Sequence, residues 1–350
     1  MSWDVVIIGA GIMGSASALA LARRGARVLV LEKSIPGAEA SSAAAGILGA
    51  QIETHAKGPE IDLFVRSRDL YAGWTQHLVE STGIDVGYRR CGSMRLFASE
   101  TAAEEGWIAS AWQEDAGLSV ERLDRGALRT REPAVAEAFV AAERFPDDAQ
   151  VEPPKLLRAL AVAAMGAGVT YRSGVSVRGV AIDGGRAIGV DLEDGSRIDG
   201  GHVVLAAGSW STMVQGVPLA PGAVKPARGQ IVELTLRAPV LGSVVFGAGA
   251  YVVPRADGRV LIGSTLEFVG FQRDVTARGV RDLLVAATAM VPALEDASLT
   301  GTWSSFRPYA AGPPLIGPSS VRGLVLATGH HRNGILLAPV TGEIVAASIA

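Results

Sequence analysis

The pattern that most restricts the fold of this chain lies in its first 32 residues. Val5 to Ile8 is an apolar run that leads into Gly9 to Gly14, with the sequence GAGIMG. A helical segment follows and stops near Gly25, and Arg27 to Leu31 is again mostly apolar and ends at Glu32. Short apolar runs of this kind are typical of strands buried on both faces of a parallel sheet. The order therefore predicts a βαβ unit.

Each glycine of the turn has a physical role in such a unit. Gly9 permits a tight turn, Gly11 lets the backbone approach a pyrophosphate, and Gly14 lets the helix pack closely against the strand. The helix N-terminus offers free N–H groups and a partial positive charge to phosphates. Glu32 is suited to accept hydrogen bonds from a ribose. The unit predicts dinucleotide binding but does not decide between FAD and NAD.

The segments that follow are less regular. We expect a helix over residues 61–80, paired strands from Tyr88 to Ala98 around Gly92, and peripheral charged helices over residues 101–130. A further helix is predicted from Leu156 to Met165, because two prolines precede it and glycines follow it.

Later segments return to the pattern of a buried sheet. Strands are predicted over residues 175–180 and 187–192 and from Val325 to Gly329, and His202 to Ser211 is predicted to be a buried strand that enters a glycine turn. A final helix is expected from about Ile335. These strands are expected to resume the first sheet after an excursion of the chain.

Residues 225–308 have a different sequence pattern from the segments before them. Gln230 to Leu236, Gly249 to Pro254 and Arg259 to Ser264 are predicted to be antiparallel strands, and Val280 to Met290 a helix. This region is therefore expected to form a second domain built largely on a sheet.

Net charge and cysteine content exclude several classes of binding partner and cofactor. The formal net charge of -3 does not suit a nucleic-acid-binding protein and gives no general reason to bind anionic membranes. The single cysteine, Cys91, cannot form an internal disulfide, and no Cys/His spacing predicts a metal site. No basic leader precedes the first apolar run and no apolar stretch is long enough to span a bilayer, so we expect a cytoplasmic protein.

The segment from Ser41 to Ala50, SSAAAGILGA, is built of small and apolar residues. Such a segment is either a flexible linker or a loop whose small side chains let the backbone touch a cofactor. Its place just after the βαβ unit favours the second interpretation.

Five segments together carry a family resemblance. They are Val6 to Gly14, Ser42 to Ala50, Tyr251 to Arg255, Phe306 to Pro308 and Gly329 to Pro339. With them the chain resembles the D-amino acid oxidase superfamily of FAD-dependent oxidoreductases, and within it most closely the bacterial glycine oxidase branch. The resemblance covers nearly the whole chain.

The resemblance implies an α/β fold in which a Rossmann-like FAD-binding domain is interleaved with a mainly antiparallel, α+β substrate domain. The FAD-binding domain is expected over residues 1–85, 146–216 and 309–350, and the substrate-binding domain over residues 86–145 and 217–308. Related sarcosine oxidases attach their flavin to a cysteine after the arginine segment. Tyr309 to Gly312 contains no cysteine, so non-covalent FAD is expected.

The resemblance also implies which residues contact FAD. The phosphates are expected at Gly9, Gly11, Ile12, Met13 and Gly14, and the ribose at Glu32 and Lys33. The ribityl and ring region is expected at Ala40, Ser41, Ala45, Gly46 and Ile47, and the adenine edge at the backbone of Val175. Further contacts are expected at Ala207, Gly208, Gly329, His330, His331, Arg332, Asn333, Gly334, Ile335 and Leu336.

Three residues are expected to bind the substrate. Arginine presents a planar fork that matches a carboxylate and stays charged when buried, which suits Arg307, although a structural arginine with an acid partner is the alternative. Tyr251 is expected to reach the same carboxylate, and Arg332 to hold the amine through its backbone carbonyl. No side-chain acid or base is nominated, and His330 and His331 are expected to have structural or flavin-contact roles.

The implied reaction is oxidative deamination of glycine or small D-amino acids by hydride transfer to flavin N5. Molecular oxygen would be reduced to hydrogen peroxide, and the imine would hydrolyse to a keto acid and ammonia. One alternative is a dehydrogenase that passes electrons to a quinone or partner protein. Others are a flavin-binding subunit that needs a partner chain, and an NAD-dependent dehydrogenase. Self-association into a homo-oligomer stays open.

Overall fold

The computed structural model describes residues 3–349. Its strands are β1 (Trp3–Ile8), β2 (Val28–Glu32), β3 (Ile47–Leu48), β4 (Ser93–Phe97), β5 (Glu121–Leu123), β6 (Ala141–Phe145), β7 (Ala149–Gln150), β8 (Thr170–Ser173), β9 (Val177–Asp183), β10 (Arg186–Leu192), β11 (Arg197–Leu205), β12 (Lys225–Thr235), β13 (Val244–Gly247), β14 (Ala250–Pro254), β15 (Arg259–Gly263), β16 (Ser298–Tyr309), β17 (Leu315–Pro318) and β18 (Leu324–Thr328).

Eight α-helices accompany the strands in this part of the chain. They are α1 (Ile12–Ala22), α2 (Ala40–Ala43), α3 (Glu60–Thr82), α4 (Glu100–Asp115), α5 (Arg125–Arg131), α6 (Pro153–Gly166), α7 (Ala277–Met290) and α8 (Ala338–Ile349). Short 3-10 turns occupy Gly208–Met213, Pro292–Leu294 and His331–Asn333. None of the helices within residues 3–349 is both long enough and apolar enough to cross a membrane.

The first sheet has the order β17-β18-β11-β1-β2-β8, and the β9–β10 hairpin joins it through β11. Strands β18, β11, β1, β2 and β8 are parallel. In the register, Ile8 lies beside Leu31 and Leu205, and Leu205 lies beside Leu326. Four strands therefore end in one row, which is the edge where open α/β sheets bind ligands.

Helices α1, α3, α6 and α8 cover one face of this sheet, and their apolar residues form the largest core cluster. Close packing of α1 against α8 depends on Gly342, where a Cβ atom would lie 2.9 Å from the carbonyl oxygen of Ala16. The N-terminus of α1 and the start of α8 are thereby held side by side at the edge where the strands end.

The second sheet has the order β16-β12-β15-β14-β13-β4-β6-β5. All neighbours are antiparallel except β13 and β4. Helix α7 packs on it through Leu283, Ala287 and Met290, which are buried in a separate core cluster. The predicted α/β class with a mainly antiparallel second sheet is confirmed.

Two predicted elements in the middle of the chain are wrong. Tyr88 to Ala98 contains one strand, β4, rather than a pair, and its partners are β6 and β13. Gly92 has a φ of +75° and ends the extended chain just before β4. The run from 101 to 130 is not helical throughout, because β5 separates α4 from α5 and pairs with β6. In both cases the pairing partner lies further along the chain than the local pattern can indicate.

The final helix also differs from its prediction. Helix α8 begins at Ala338 instead of about Ile335, because the 3-10 turn His331–Asn333 and a further turn precede it. Strand β16, which carries Arg307, pairs with β12 over most of its length and was not predicted as a strand.

Candidate functional site

A cavity of about 440 Å³ lies where the strands of the first sheet end and the second sheet faces them. The residues directly after β1, β2 and β11 line it, together with the end of β18. Residues of the second sheet close the opposite side. They are Gly229, Ile231, Tyr251, Ser264, Ser305, Phe306, Arg307 and Pro308.

Most of the predicted cofactor residues line this one cavity. They are Gly9, Gly11, Ile12, Met13, Glu32, Lys33, Ala40, Ser41, Ala45, Gly46, Ile47, Val175, Ala207, Gly208, His330, His331, Arg332, Asn333, Gly334 and Ile335. Gly14, Gly329 and Leu336 lie next to it in sequence but not among its lining residues. The three predicted substrate residues, Tyr251, Arg307 and Arg332, share the same cavity.

The glycine turn has the shape of a phosphate cradle. Gly9 has a φ of +101°, and a Cβ atom there would lie 2.6 Å from the carbonyl oxygen of Ala206. At Gly14 a Cβ atom would lie 1.9 Å from the carbonyl oxygen of Gly9, so Gly14 packs α1 onto the turn instead of facing the cavity. Ser41 accepts a hydrogen bond from the N–H of Ile12 at 3.0 Å and ties the small-residue loop to the helix N-terminus.

The end of β2 is held by its own backbone contacts. Glu32 accepts hydrogen bonds from the N–H groups of Ala10 and Ser34, both at 2.9 Å, so its carboxylate supports the glycine turn. The N–H of Val175 donates a hydrogen bond to the carbonyl of Glu32 at 2.9 Å. The carbonyl of Val175 takes no part in that hydrogen bond. The Lys33 ammonium lies 3.5 Å from the centroid of the Trp210 ring.

The small-residue loop is a fixed part of the cavity wall. Gly46 has a φ of +78°, and a Cβ atom there would lie 2.1 Å from the carbonyl oxygen of Val151. The carbonyls of Ala43 and Ala45 accept hydrogen bonds from Trp303 at 3.0 Å and Arg255 at 2.6 Å. Two residues of the second sheet thus hold the loop in place, which does not fit the linker interpretation.

Arg307 is a half-buried cation whose hydrogen-bond partners are all uncharged. Its guanidinium donates to the carbonyl of Thr265 at 3.2 Å and to the hydroxyl of Ser264, and it forms no ion pair with any residue from 3 to 349. Burial lowers its pKa, and the neighbouring phenol of Tyr251 acts in the opposite direction. A half-buried cation without an acid partner in a cavity wall is a site for an anionic ligand.

Two glycines that the sequence did not single out make room for this pair. At Gly229 a Cβ atom would lie 2.1 Å from Arg307 Nη1, and at Gly263 it would lie 2.3 Å from the Tyr251 hydroxyl. Gly229 lies inside β12 and Gly263 ends β15. A glycine inside a strand indicates close approach of another group, but only the register identifies that group.

Substitution of Gly229 by alanine should weaken binding of a carboxylate substrate. The added methyl would displace the guanidinium from the carboxylate, and loss of a hydrogen bond between charged groups costs about 1.5–3 kcal/mol, or roughly ten- to 150-fold in KM. Steady-state kinetics and flavin content check this. Gly301→Ala is the matched control, because a Cβ atom at this strand position would only make ordinary contact with Trp303, at 3.4 Å. Equal effects of the two substitutions would contradict the prediction.

The segment after β18 carries three polar side chains into the cavity wall. Burial lowers the pKa of His330 to about 3, and its Nε2 lies 3.1 Å from the hydroxyl of Thr341. Burial, followed by Arg307 and Arg332, lowers the pKa of His331 to about 4. Both imidazoles are therefore neutral at neutral pH. Arg332 forms an ion pair with Glu53, a lining residue that the sequence analysis missed.

Helix α3 anchors the same segment from behind. The hydroxyl of Tyr71 donates to the carbonyl of Ile335, and the hydroxyl of Ser67 donates to the carbonyl of Leu336 at 2.6 Å. Both donors are buried, and burial raises the pKa of Tyr71 well above its ordinary value. The sequence predicted α3 but gave no signal that two of its hydroxyls position the cavity wall.

Comparison with known proteins identifies the family to which this chain belongs. The family model described as FAD dependent oxidoreductase matches residues 4–348. The chain belongs to this family. It is 37% identical over 348 residues to the glycine oxidase of Geobacillus kaustophilus, covering 98% of this chain and 92% of that protein. It is 36% identical over 351 residues to the bifunctional protein ThiO/ThiG of Nostoc sp., covering 99% of this chain and 52% of that protein.

Solved structures that are similar to this chain agree with the family assignment. The crystal structure of glycine oxidase from Geobacillus kaustophilus has a TM-score of 0.93 at 36% identity, covering 99% of this chain and 94% of that chain. Iminodiacetate oxidase from Chelativorans sp. has a TM-score of 0.90 at 29% identity, covering 99% and 95%. The chain spans about half the length of the first curated relatives it matches.

FAD is the cofactor of this family, and the cavity of this chain fits it. Gly9 and Gly14 leave no room for a Cβ atom beside neighbouring backbone, and Gly9 and Gly11 line the cavity, as the glycines of a pyrophosphate-binding turn do. The N-terminus of α1 and the fixed loop at Ala43 to Ile47 line the same space. No group of three or more His, Cys, Asp or Glu side chains in residues 3–349 could hold a metal ion.

Proposed function

We propose that this protein catalyses the oxidative deamination of glycine or a small D-amino acid, with molecular oxygen as the electron acceptor. The observation that carries this proposal is the half-buried Arg307 guanidinium, which has no acid partner among residues 3–349 and lies in the wall of the cofactor cavity beside the Tyr251 hydroxyl. The family and its glycine oxidase relatives support the same reaction.

Arg307 and Tyr251 would bind the substrate carboxylate and so fix the α-carbon against the cofactor. Bound FAD supplies the acceptor for the hydride that leaves the α-carbon. The amine must be neutral for its lone pair to assist this step. Removal from water and the positive charge of Arg307 both disfavour an ammonium group, so the pocket lowers the amine pKa. The imine product hydrolyses to a keto acid and ammonia.

No side-chain base is assigned to the reaction. His330 and His331 have pKa values of about 3 and about 4, which makes them weak acceptors for a proton from an ammonium group. We propose that both hold the cavity wall, and that the backbone carbonyl of Arg332 accepts a hydrogen bond from the substrate amine. The remaining lining residues predicted from the sequence are proposed to contact FAD.

We further propose that FAD is bound without a covalent link. The segment from Tyr309 to Gly312 has no thiol, and Cys91 is not among the lining residues of the cavity. Its sulfur lies 3.4 Å from the Gln150 side-chain nitrogen instead. A cytoplasmic location stays a prediction.

The domain division is likewise a proposal. We assign residues 1–85, 146–216 and 309–350 to FAD binding, and residues 86–145 and 217–308 to substrate binding. The composition of the two large sheets supports it, since each draws its strands from one of these sets, with β16 ending at Tyr309.

A peroxide assay on FAD-loaded protein tests the proposed reaction. Glycine, sarcosine and a panel of D-amino acids should yield hydrogen peroxide and ammonia in air, whereas the L-enantiomers should not. The same assay with an artificial electron acceptor under nitrogen separates an oxidase from a dehydrogenase. Turnover with the artificial acceptor but no peroxide in air would contradict oxygen as the acceptor, and no turnover in either assay would contradict the proposed reaction.

A further inference from the structure

The cavity that holds Arg307 contains a second guanidinium, and this one is already paired. Arg332 Nε lies 2.8 Å from Glu53 Oε2, and Arg332 Nη2 lies 3.0 Å from Glu53 Oε1. The two parallel contacts form the fork that arginine makes with a carboxylate. The Glu53 side chain is 14% exposed and that of Arg332 is 40% exposed, so the acid is the more buried partner.

Glu53 is held in place by the turn that carries it. The preceding N–H groups of Gln51 and Ile52 donate to the buried carboxylate of Asp148 at 3.1 and 3.2 Å. The Ile52 carbonyl accepts a hydrogen bond from Arg95 at 3.1 Å. These contacts hold the two residues before Glu53, so the position of Glu53 does not depend on its ion pair alone.

Of Arg307 and Arg332, one is therefore available to bind an anionic group of the substrate. Arg307 has no acid partner, whereas the charge of Arg332 is compensated by Glu53. Although burial acts to lower it, the pKa of Arg332 is raised, because Glu53 lies beside it. A second anionic group on the substrate would find no uncompensated cation near Arg332, and it would meet the Glu53 carboxylate.

We propose that Glu53 is a specificity-determining residue that restricts this site to amino acids with a single carboxylate. The inference rests on the proposed role of Arg307 in binding a carboxylate. Without the negative charge of Glu53, Arg332 becomes a second anion site, and the pocket then accepts amino acids with two carboxylates, such as iminodiacetate or D-aspartate.

Binding of carboxylates that cannot be oxidised tests this without turnover. Calorimetric titration of the FAD-loaded protein would compare acetate with malonate, succinate and glutarate, which span a range of lengths. In Glu53→Gln at least one dicarboxylate should bind roughly ten- to 150-fold more tightly than in the unsubstituted protein, as expected for a new charged hydrogen bond of about 1.5–3 kcal/mol. Acetate binding should change less than about threefold.

Kinetics extend the test to substrates. In Glu53→Gln, the ratio of kcat/KM for iminodiacetate to that for glycine should rise about tenfold or more, by the same added interaction. The double variant Glu53→Gln/Arg332→Gln should lose the gain, because the new anion site is the Arg332 guanidinium. The reciprocal single variant Arg332→Gln leaves Glu53 uncompensated, so it should bind dicarboxylates more weakly than the unsubstituted protein.

The outcomes separate this inference from the proposed reaction. If acetate and dicarboxylates tighten equally in Glu53→Gln, or if the gain persists in the double variant, Glu53 does not select against a second carboxylate. If the dicarboxylate gain appears but no amino acid is oxidised, the proposed reaction fails while the assignment of Glu53 stands. Circular dichroism and flavin content confirm that each variant is folded, and Glu53→Ala, which removes the same charge, takes the place of Glu53→Gln if that variant does not fold.

Discussion

Replacing Arg307 by alanine is expected to lower kcat/KM for the amino acid substrate by roughly 30- to 5,000-fold while FAD stays bound. Loss of one partner of a buried charge pair costs about 2–5 kcal/mol, which corresponds to this range. The hydrogen-bond partners of the guanidinium are the Thr265 carbonyl and the hydroxyls of Ser264 and Tyr251, so its removal leaves no acid unpaired. Stopped-flow reduction of the flavin at varied substrate concentration measures the effect on binding and on hydride transfer separately.

Two further substitutions serve as controls for Arg307→Ala. Arg307→Lys keeps the charge but loses the planar fork, so it should recover only part of the activity. Arg273→Ala removes another arginine near Phe306, one that pairs with Glu39 outside the proposed carboxylate site, and should leave kcat/KM within about threefold. If Arg307→Ala instead releases FAD or unfolds the protein, Arg307 is structural and the carboxylate assignment is wrong.

Replacing Gly14 by alanine is the second change with a large expected effect. The new Cβ atom would lie 1.9 Å from the carbonyl oxygen of Gly9, and neither backbone segment can move without opening the phosphate cradle. Crowding in a packed interior usually costs about 1–3 kcal/mol, and a clash between two backbone segments should lie at or above the upper end. We therefore expect loss of at least about 3 kcal/mol of unfolding free energy, with FAD affinity reduced about 100-fold or more.

Urea unfolding and flavin titration measure these two quantities. Gly73→Ala is the matched control, because Gly73 lies inside helix α3 and a Cβ atom there would meet nothing within 4 Å. Alanine favours a helix over glycine by about 1 kcal/mol, so this control should be neutral or stabilising. A stable, FAD-replete Gly14→Ala protein would show that α1 does not pack on the turn as described.

What the sequence predicted correctly is mainly local. The βαβ unit follows from residues that adjoin one another, because the apolar runs, the glycines and the terminal acid lie within one short segment. Arg307 and Tyr251 were found through family motifs, since nothing in their immediate neighbourhood shows that β14 and β16 bring them to one cavity.

What the sequence did not predict depends on distant pairing. The role of Gly229 appears only when β12 is aligned with β16, and that of Glu53 only when its turn meets Arg332, 279 residues further along. The strand pair expected around Gly92 failed for the same reason, because β4 takes its partners from later segments. Neither hydrophobic period nor turn chemistry carries information about such contacts.

The two hydroxyls of α3 affect when the cofactor cavity can form during folding. Tyr71 and Ser67 donate to carbonyls 264 and 269 residues away, and β11 pairs with β18 near the other end of the chain. During synthesis, the amino-terminal glycine turn leaves the ribosome long before the segment that completes the cavity wall. The cofactor cavity therefore forms as a late step of folding, once the segment from β18 to α8 has been made, and stable FAD binding can only follow that step.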